Sequence, residues 1–213
     1  MLAAHQEIAI PRFGAPDVLS LQDAPTKPVG EDDIQIRVKY SGINFADLQM
    51  RLGFYPDAPK KPFVPGYEVS GHVEAVGRNV RHLAPGDAVI AGTYFGGYAS
   101  AVTLPARQVF PLPKAVTLAE GAALPVAFFT AHLALFEMGR VRAGDRVLIE
   151  CATGGVGTLA LQMAARRGAE VVGLTTSPEK KPYIEGFGAR AYTTAEFAGD
   201  ASLGGFDFIL NAS

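Results

Sequence analysis

Hydrophobic and polar positions change rhythm partway along this chain. Residues 34–40 (IQIRVKY) alternate apolar and polar side chains, the period of a half-buried strand. Further short strands are predicted at 69–76, at 88–91 after the turn Pro85-Gly86-Asp87, at 102–104 and at 109–111. Many short strands separated by Gly and Pro imply a β-barrel-like unit. From about residue 125 the texture differs. Residues 126–138 form a long apolar run without proline, which predicts a helix. Strand patterns at 146–151, 170–174, 190–192 and 206–211 then alternate with helix patterns at 158–167 and 178–187. Alternating strands and helices mean βαβ units around a parallel sheet. The division expected is a β-rich domain over 1–125 and a nucleotide-binding domain over 126–213.

Composition narrows the classes. The chain has 213 residues, 48% hydrophobic and 19% charged, enough for a real core. A net charge of −2 with no basic block argues against nucleic acid as a partner. The uncharged run 121–136 contains Pro125 and His132 and is too short to span a membrane. The N-terminus lacks a secretory pattern, and a single cysteine, Cys151, rules out an internal disulfide. A reducing cytoplasm fits both. Cys151 reads as a small core thiol closing a buried strand.

The strand at 146–151 runs into Ala152-Thr153-Gly154-Gly155-Val156-Gly157 and then a helix, the place of a dinucleotide-binding turn. Gly154 would let backbone approach a pyrophosphate, and Gly157 would let helix pack on strand. The helix N-terminus would offer free N–H groups to the phosphates. Ala152 takes the first glycine's place, a departure because alanine tolerates positive φ poorly. The next strand ends Leu174-Thr175-Thr176-Ser177 without the acid that usually holds the ribose of NAD. Thr176, Ser177 and Lys180 suit a 2′-phosphate, so NADPH is the expected cofactor.

Several segments now resemble one family. They are Gly42-Ile43-Asn44-Phe45-Ala46-Asp47, Gly53-Phe54-Tyr55-Pro56, and Pro65-Gly66-Tyr67-Glu68-Val69-Ser70-Gly71 continuing to Val76-Gly77. Gly86-Asp87, Phe95-Gly96-Gly97-Tyr98-Ala99, Ala122-Ala123-Leu124-Pro125 and Thr130-Ala131 follow in the same order. Together with the glycine turn they resemble the zinc-free quinone oxidoreductase, zeta-crystallin-like branch of the medium-chain dehydrogenase/reductases. The resemblance implies a GroES-like catalytic domain followed by a Rossmann domain, a doubly wound parallel sheet, with the active site in the cleft between them. It also implies that about half of the Rossmann domain is missing, the last strand lying just before the halfway crossing, and that the family homodimer would need the missing half.

By the same resemblance, zinc-dependent members place Cys, His and Cys where this chain carries Asn44, Tyr67 and Val126. None of these makes a zinc site, and Glu68 alone cannot hold the ion. Hydride delivery without a metal suits a quinone or another conjugated carbonyl. Tyr55 is the expected hydrogen-bond donor to the developing oxyanion. Asn44 is expected to orient substrate or cofactor, and Thr130 to lie near the nicotinamide. Plainer roles compete: Asn44 and Asp47 as helix caps, Tyr55 as packing, Glu68 as a satisfied structural carboxylate. Phe54, Phe95 and Tyr98 are pocket or core residues, and His72, His82 and His132 structural ones. The competing function is a shortened, non-catalytic relative that kept nucleotide binding, or an enoylreductase unit acting on enoyl-thioesters.

Overall fold

A computed structural model describes residues 4–200 and 203–212 of the chain. Readings of the extreme termini, Met1 and Ser213 included, fall outside the described residues. The chain divides into two compact units, residues 1–126 and 127–213.

The first unit is antiparallel β structure. A hairpin pairs β1 (Ala4–Ala9) with β2 (Ser20–Pro25). The five strands β3 (Asp33–Ser41), β4 (Glu68–Val76), β5 (Ala88–Gly92), β6 (Ala101–Pro105) and β7 (Val109–Pro111) form a sheet in the order β6-β3-β4-β5-β7. Inward residues from all five, including Ile34, Ile36, Val69, Val73, Val89, Val102 and Val109, make one core. The alternation read in 34–40 is therefore that of a strand with one buried face. The hairpin β1–β2 was not read from the sequence, whereas the helix α1 (Phe45–Leu52) is the one that Asn44 and Asp47 were expected to cap. The hairpin hides because β2 is almost wholly exposed and carries no apolar rhythm. Helix α1 begins at Asn44, whose N–H donates to the Asp47 carboxylate at 2.8 Å, and ends on Gly53 in the left-handed conformation.

The short helix α2 (Leu118–Gly121) opens on Thr117, whose hydroxyl and backbone bond Glu120. Helix α3 (Pro125–His132) crosses the boundary between the units. The helix read over 126–138 is α-helical only to His132, then widens into π turns over Leu133–Met138.

The second unit is a parallel sheet of β8 (Arg146–Glu150), β9 (Glu170–Thr175), β10 (Arg190–Thr193) and β11 (Phe208–Asn211), in the order β10-β9-β8-β11. Helices α4 (Gly155–Arg166) and α5 (Lys181–Glu185) connect these strands, and α6 (Thr194–Gly199) follows β10. Val147, Ile149, Ala160, Leu161, Ala164, Val171 and Ile184 fill one face, while Leu148, Val172 and Leu174 meet Tyr192, Phe197 and Phe206 on the other. Successive residues of a central strand serve both cores, so RVLIE is apolar without alternation. Counted from β8, the order is 3-2-1-4, the start of a doubly wound Rossmann sheet.

Three readings are corrected here. The last strand does not lie before the crossing, because β11 pairs with β8 on the side away from β9. Chain order cannot reveal this, since the side a strand joins depends on where its connection packs. Cys151 is not a core thiol: it is exposed, at φ 49°, beyond the end of β8. The chain must reverse there to enter α4, and the reversal lifts the side chain off the sheet. That positive φ falls on Cys151 and not on Ala152, which is fully buried, so alanine in the first glycine's place carries no strain. Among the described residues no helix is long and apolar enough to cross a membrane.

Gly157 marks a close approach of α4 to the turn that leaves β8. A Cβ there would lie 2.3 Å from the Cys151 carbonyl oxygen and 2.8 Å from the Ala152 Cα. At Gly155 a Cβ would meet nothing within 4 Å. Gly157→Val is therefore expected to destabilise the second unit by about 3 kcal/mol. Gly155→Ala should leave stability within about 0.5 kcal/mol of the parent. Urea denaturation followed by circular dichroism checks both.

Candidate functional site

At the carboxyl ends of β8, β9 and β10 the second unit holds a cavity of about 270 Å³. Ligands of open α/β sheets bind outside the carboxyl ends of the strands. Its lining includes Glu150, Thr153, Gly154, Thr176, Lys180 and Thr194. Gly154 caps α4 with extended backbone at φ −79°. The N–H groups of Gly155, Val156 and Gly157 begin the helix, and no acceptor takes them among the described residues. No acid stands in that first turn. An anion placed there would meet free N–H donors and the positive end of the helix dipole.

The glycines supply a test of fit. Gly157 is required by the chain's own packing, as shown above. Gly155 is not: its φ is not positive and a Cβ would touch nothing in the chain. A bare backbone that the fold does not need is what a close-lying pyrophosphate needs. Residues holding a dinucleotide here would be Thr153 to Gly157 around the phosphates, with Thr176 and Lys180 around the ribose.

Around that ribose end, Thr175 is buried and its Oγ1 accepts from the Ser177 N–H at 3.2 Å. Ser177 thereby closes the end of β9, while Thr176 and Lys180 line the cavity and Ser177 does not. Lys181 is drawn away to Glu196 at 2.9 Å, whereas Lys180 makes no ion pair among the described residues. Glu196 is held down to about 2 by the Thr193 N–H first and by Lys181 second. Ala152 and Val156 support the turn without lining the cavity. Thr130 is exposed on α3 and belongs to no part of this cavity.

Glu150 and Thr194 were missed in reading the sequence. The residue at the C-terminal end of the strand before a glycine turn faces the ligand side, which would have found Glu150. The pattern Thr193-x-x-Glu196 is a capping box and would have placed Thr194 at a helix start.

The first unit gathers a second set. Glu68 is 2% exposed. Its carboxylate accepts from Asn44 Nδ2 at 2.8 Å on one oxygen and from the Val126 N–H at 2.8 Å on the other. Two of the three positions compared with zinc ligands are thus tied to one carboxylate. Among the described residues no three His, Cys, Asp or Glu side chains cluster as a metal site would require. Asp47, also buried, accepts from the N–H groups of Asn44 and Gly66 at 2.8 and 3.0 Å and bonds the Tyr98 side chain. Burial raises both carboxyls above their ordinary range, against the pull of these donors.

Tyr55 is half-buried beside Tyr67, ring centroids 6.3 Å apart. Burial first, and the neighbouring Tyr55 second, raise the Tyr67 hydroxyl above its ordinary range. Phe95 stacks obliquely on Tyr67 at 5.3 Å and joins the core of Ile10, Met50 and Phe63. Phe54 is 73% exposed and Tyr98 faces another open groove beside Ser41 and Ile43. His132 stacks on Phe128, a packing role.

The alcohol dehydrogenase GroES-like domain family matches residues 30–114. The quinone oxidoreductase of Mus musculus is 38% identical over 179 residues, 83% of this chain and 54% of that protein. The solved human synaptic vesicle membrane protein VAT-1 homolog-like protein superposes with a TM-score of 0.87 at 31% identity, covering 97% of this chain and 67% of that one. The quinone oxidoreductase from Thermus thermophilus, solved also as its complex with NADPH, gives a TM-score of 0.84 at 36% identity, covering 96% and 65%. The chain belongs to the medium-chain dehydrogenase/reductase superfamily, with quinone oxidoreductases among its relatives. It spans about half the length of the curated quinone oxidoreductases that it matches.

Removing the Glu68 carboxylate would leave two inward donors without an acceptor. Glu68→Ala is expected to cost about 2–4 kcal/mol in urea denaturation. The pH dependence has a definite sign. Because Asp47 and Glu68 are raised, the folded state binds their protons at higher pH than the unfolded chain. The resulting stabilisation is complete below the ordinary values of 3.8 and 4.5 and is lost as pH rises through the raised folded values. In urea titrations across this range Glu68→Gln should show a flatter pH dependence than the parent.

Proposed function

We propose that this chain serves an NADPH-dependent oxidoreductase that delivers hydride to a quinone or another conjugated carbonyl. The observation that carries the reading is the cavity at the strand ends, where a glycine turn meets Thr176 and Lys180, its N–H donors without an acceptor and the lysine without an ion pair among the described residues. When bound, the nicotinamide supplies the hydride. The second unit's own part is to hold the pyrophosphate on the N–H groups at the start of α4 and the 2′-phosphate beside Lys180. Thr130 remains the residue we expect to contact the nicotinamide, and Ser177 shapes the loop that presents Thr176.

In the first unit Tyr55 offers the hydrogen bond that a developing oxyanion requires. Tyr67 packs edge-on beside it, ring centroids 6.3 Å apart, and walls that side of the hydroxyl with an aromatic face. Asn44, anchored on Glu68, orients the groups around it. A conjugated acceptor spreads the charge it receives, so this chemistry runs without zinc. The single exposed thiol fits a reducing cytoplasmic setting.

Titration of the chain with NADPH, followed by cofactor fluorescence with NADH as control, tests the reading. Saturable binding that favours NADPH is expected. Gly155→Ala should weaken it at least about fivefold with an unchanged thermal midpoint, because its methyl enters the phosphate's space and not the chain's. Tyr55→Phe should lower kcat with quinones about 10–100-fold while leaving the NADPH Kd unchanged. Absence of binding by a folded, monodisperse chain would overturn the proposal.

A further inference from the structure

Strand β8 ends on Glu150, two residues beyond Leu148 and so on the same face of the sheet. Glu150 lines the cavity together with Thr175, Thr176, Lys180 and Thr194. The lining thus holds one cation, Lys180, and one carboxylate, Glu150. Lys181 next door is committed to Glu196. Neither the Glu150 nor the Lys180 side chain makes a hydrogen bond or ion pair, with each other or elsewhere, among the described residues. Their charges therefore act on whatever enters.

The end of β9 lacks an acid, which on its own favours a 2′-phosphate. Glu150 supplies an acid to the same cavity from the neighbouring strand. An unbonded carboxylate accepts from the vicinal hydroxyls of a ribose. It repels a 2′-phosphate, which carries roughly two negative charges at neutral pH. Lys180 offsets only part of that.

Resting on the cofactor reading above, we infer that Glu150 is a cofactor-selecting residue: it accepts from the adenosine ribose hydroxyls of NADH and opposes the 2′-phosphate of NADPH. The cavity therefore takes both cofactors, and Lys180 gives NADPH only a narrow advantage.

Isothermal titration calorimetry of the whole chain with NADPH and with NADH tests this in the parent, Glu150→Gln and Lys180→Met. In the parent the two dissociation constants should lie within about tenfold of each other. Glu150→Gln should tighten NADPH roughly three- to tenfold and weaken NADH, with the gain shrinking as salt is raised. Lys180→Met should weaken NADPH and leave NADH nearly unchanged. The Glu150 side chain bonds nothing among the described residues, so the isosteric Gln should keep the thermal midpoint. An unchanged NADPH-to-NADH ratio in Glu150→Gln, with binding retained, would overturn the role of Glu150 and leave the cofactor reading intact. Binding of neither cofactor by the parent would overturn both.

Discussion

The approach of α4 to the turn that leaves β8 governs the candidate site. With a Cβ at Gly157 placed 2.3 Å from the Cys151 carbonyl, no side chain fits between the helix and that turn. The contact fixes the tight turn, sends Cys151 to positive φ and aims the first N–H groups of α4 across the strand ends. Packing Ala160, Leu161 and Ala164 against Val147, Ile149 and Val171 then holds the helix in place. The cavity follows from this: its floor is strand termini, its wall the helix start, its far rim Thr176 and Lys180.

In the first unit a buried carboxylate has the corresponding role. Glu68 joins the start of β4 to the loop entering α1 through Asn44 and to the start of α3 through Val126. Asp47 does the same for the Gly66 loop. Both are desolvated, and both remain because each accepts from donors that would otherwise be stranded. The tyrosines and Phe95 pack around this frame, giving an apolar surface with hydroxyls at defined places.

Much of this was legible along the chain. The change from short alternating strands to longer apolar segments separates the two architectures, and the glycine turn stands where strand gives way to helix. The motif order pointed to the family before any fold was seen. Other features were not legible. The β1–β2 hairpin lacks an apolar rhythm because it buries little. Glu150 reads as an ordinary polar strand end, and only the adjacency of β8 and β9 brings it beside Thr176 and Lys180. Cys151 reads as core because its neighbours are apolar, although the turn points it outward.

By itself the sequence determined most strands that bury a face, the site of the glycine turn and the donor chemistry available at Asn44, Tyr67 and Val126. These are local matters of side-chain periodicity, missing Cβ atoms and donor chemistry. Tertiary structure decided which side of β8 receives β11, that Glu68 ties Asn44 to Val126, and that a carboxylate and a lysine 30 positions apart line one cavity. Those depend on how strands order themselves in a sheet, and that ordering is set by long-range packing which no local pattern encodes.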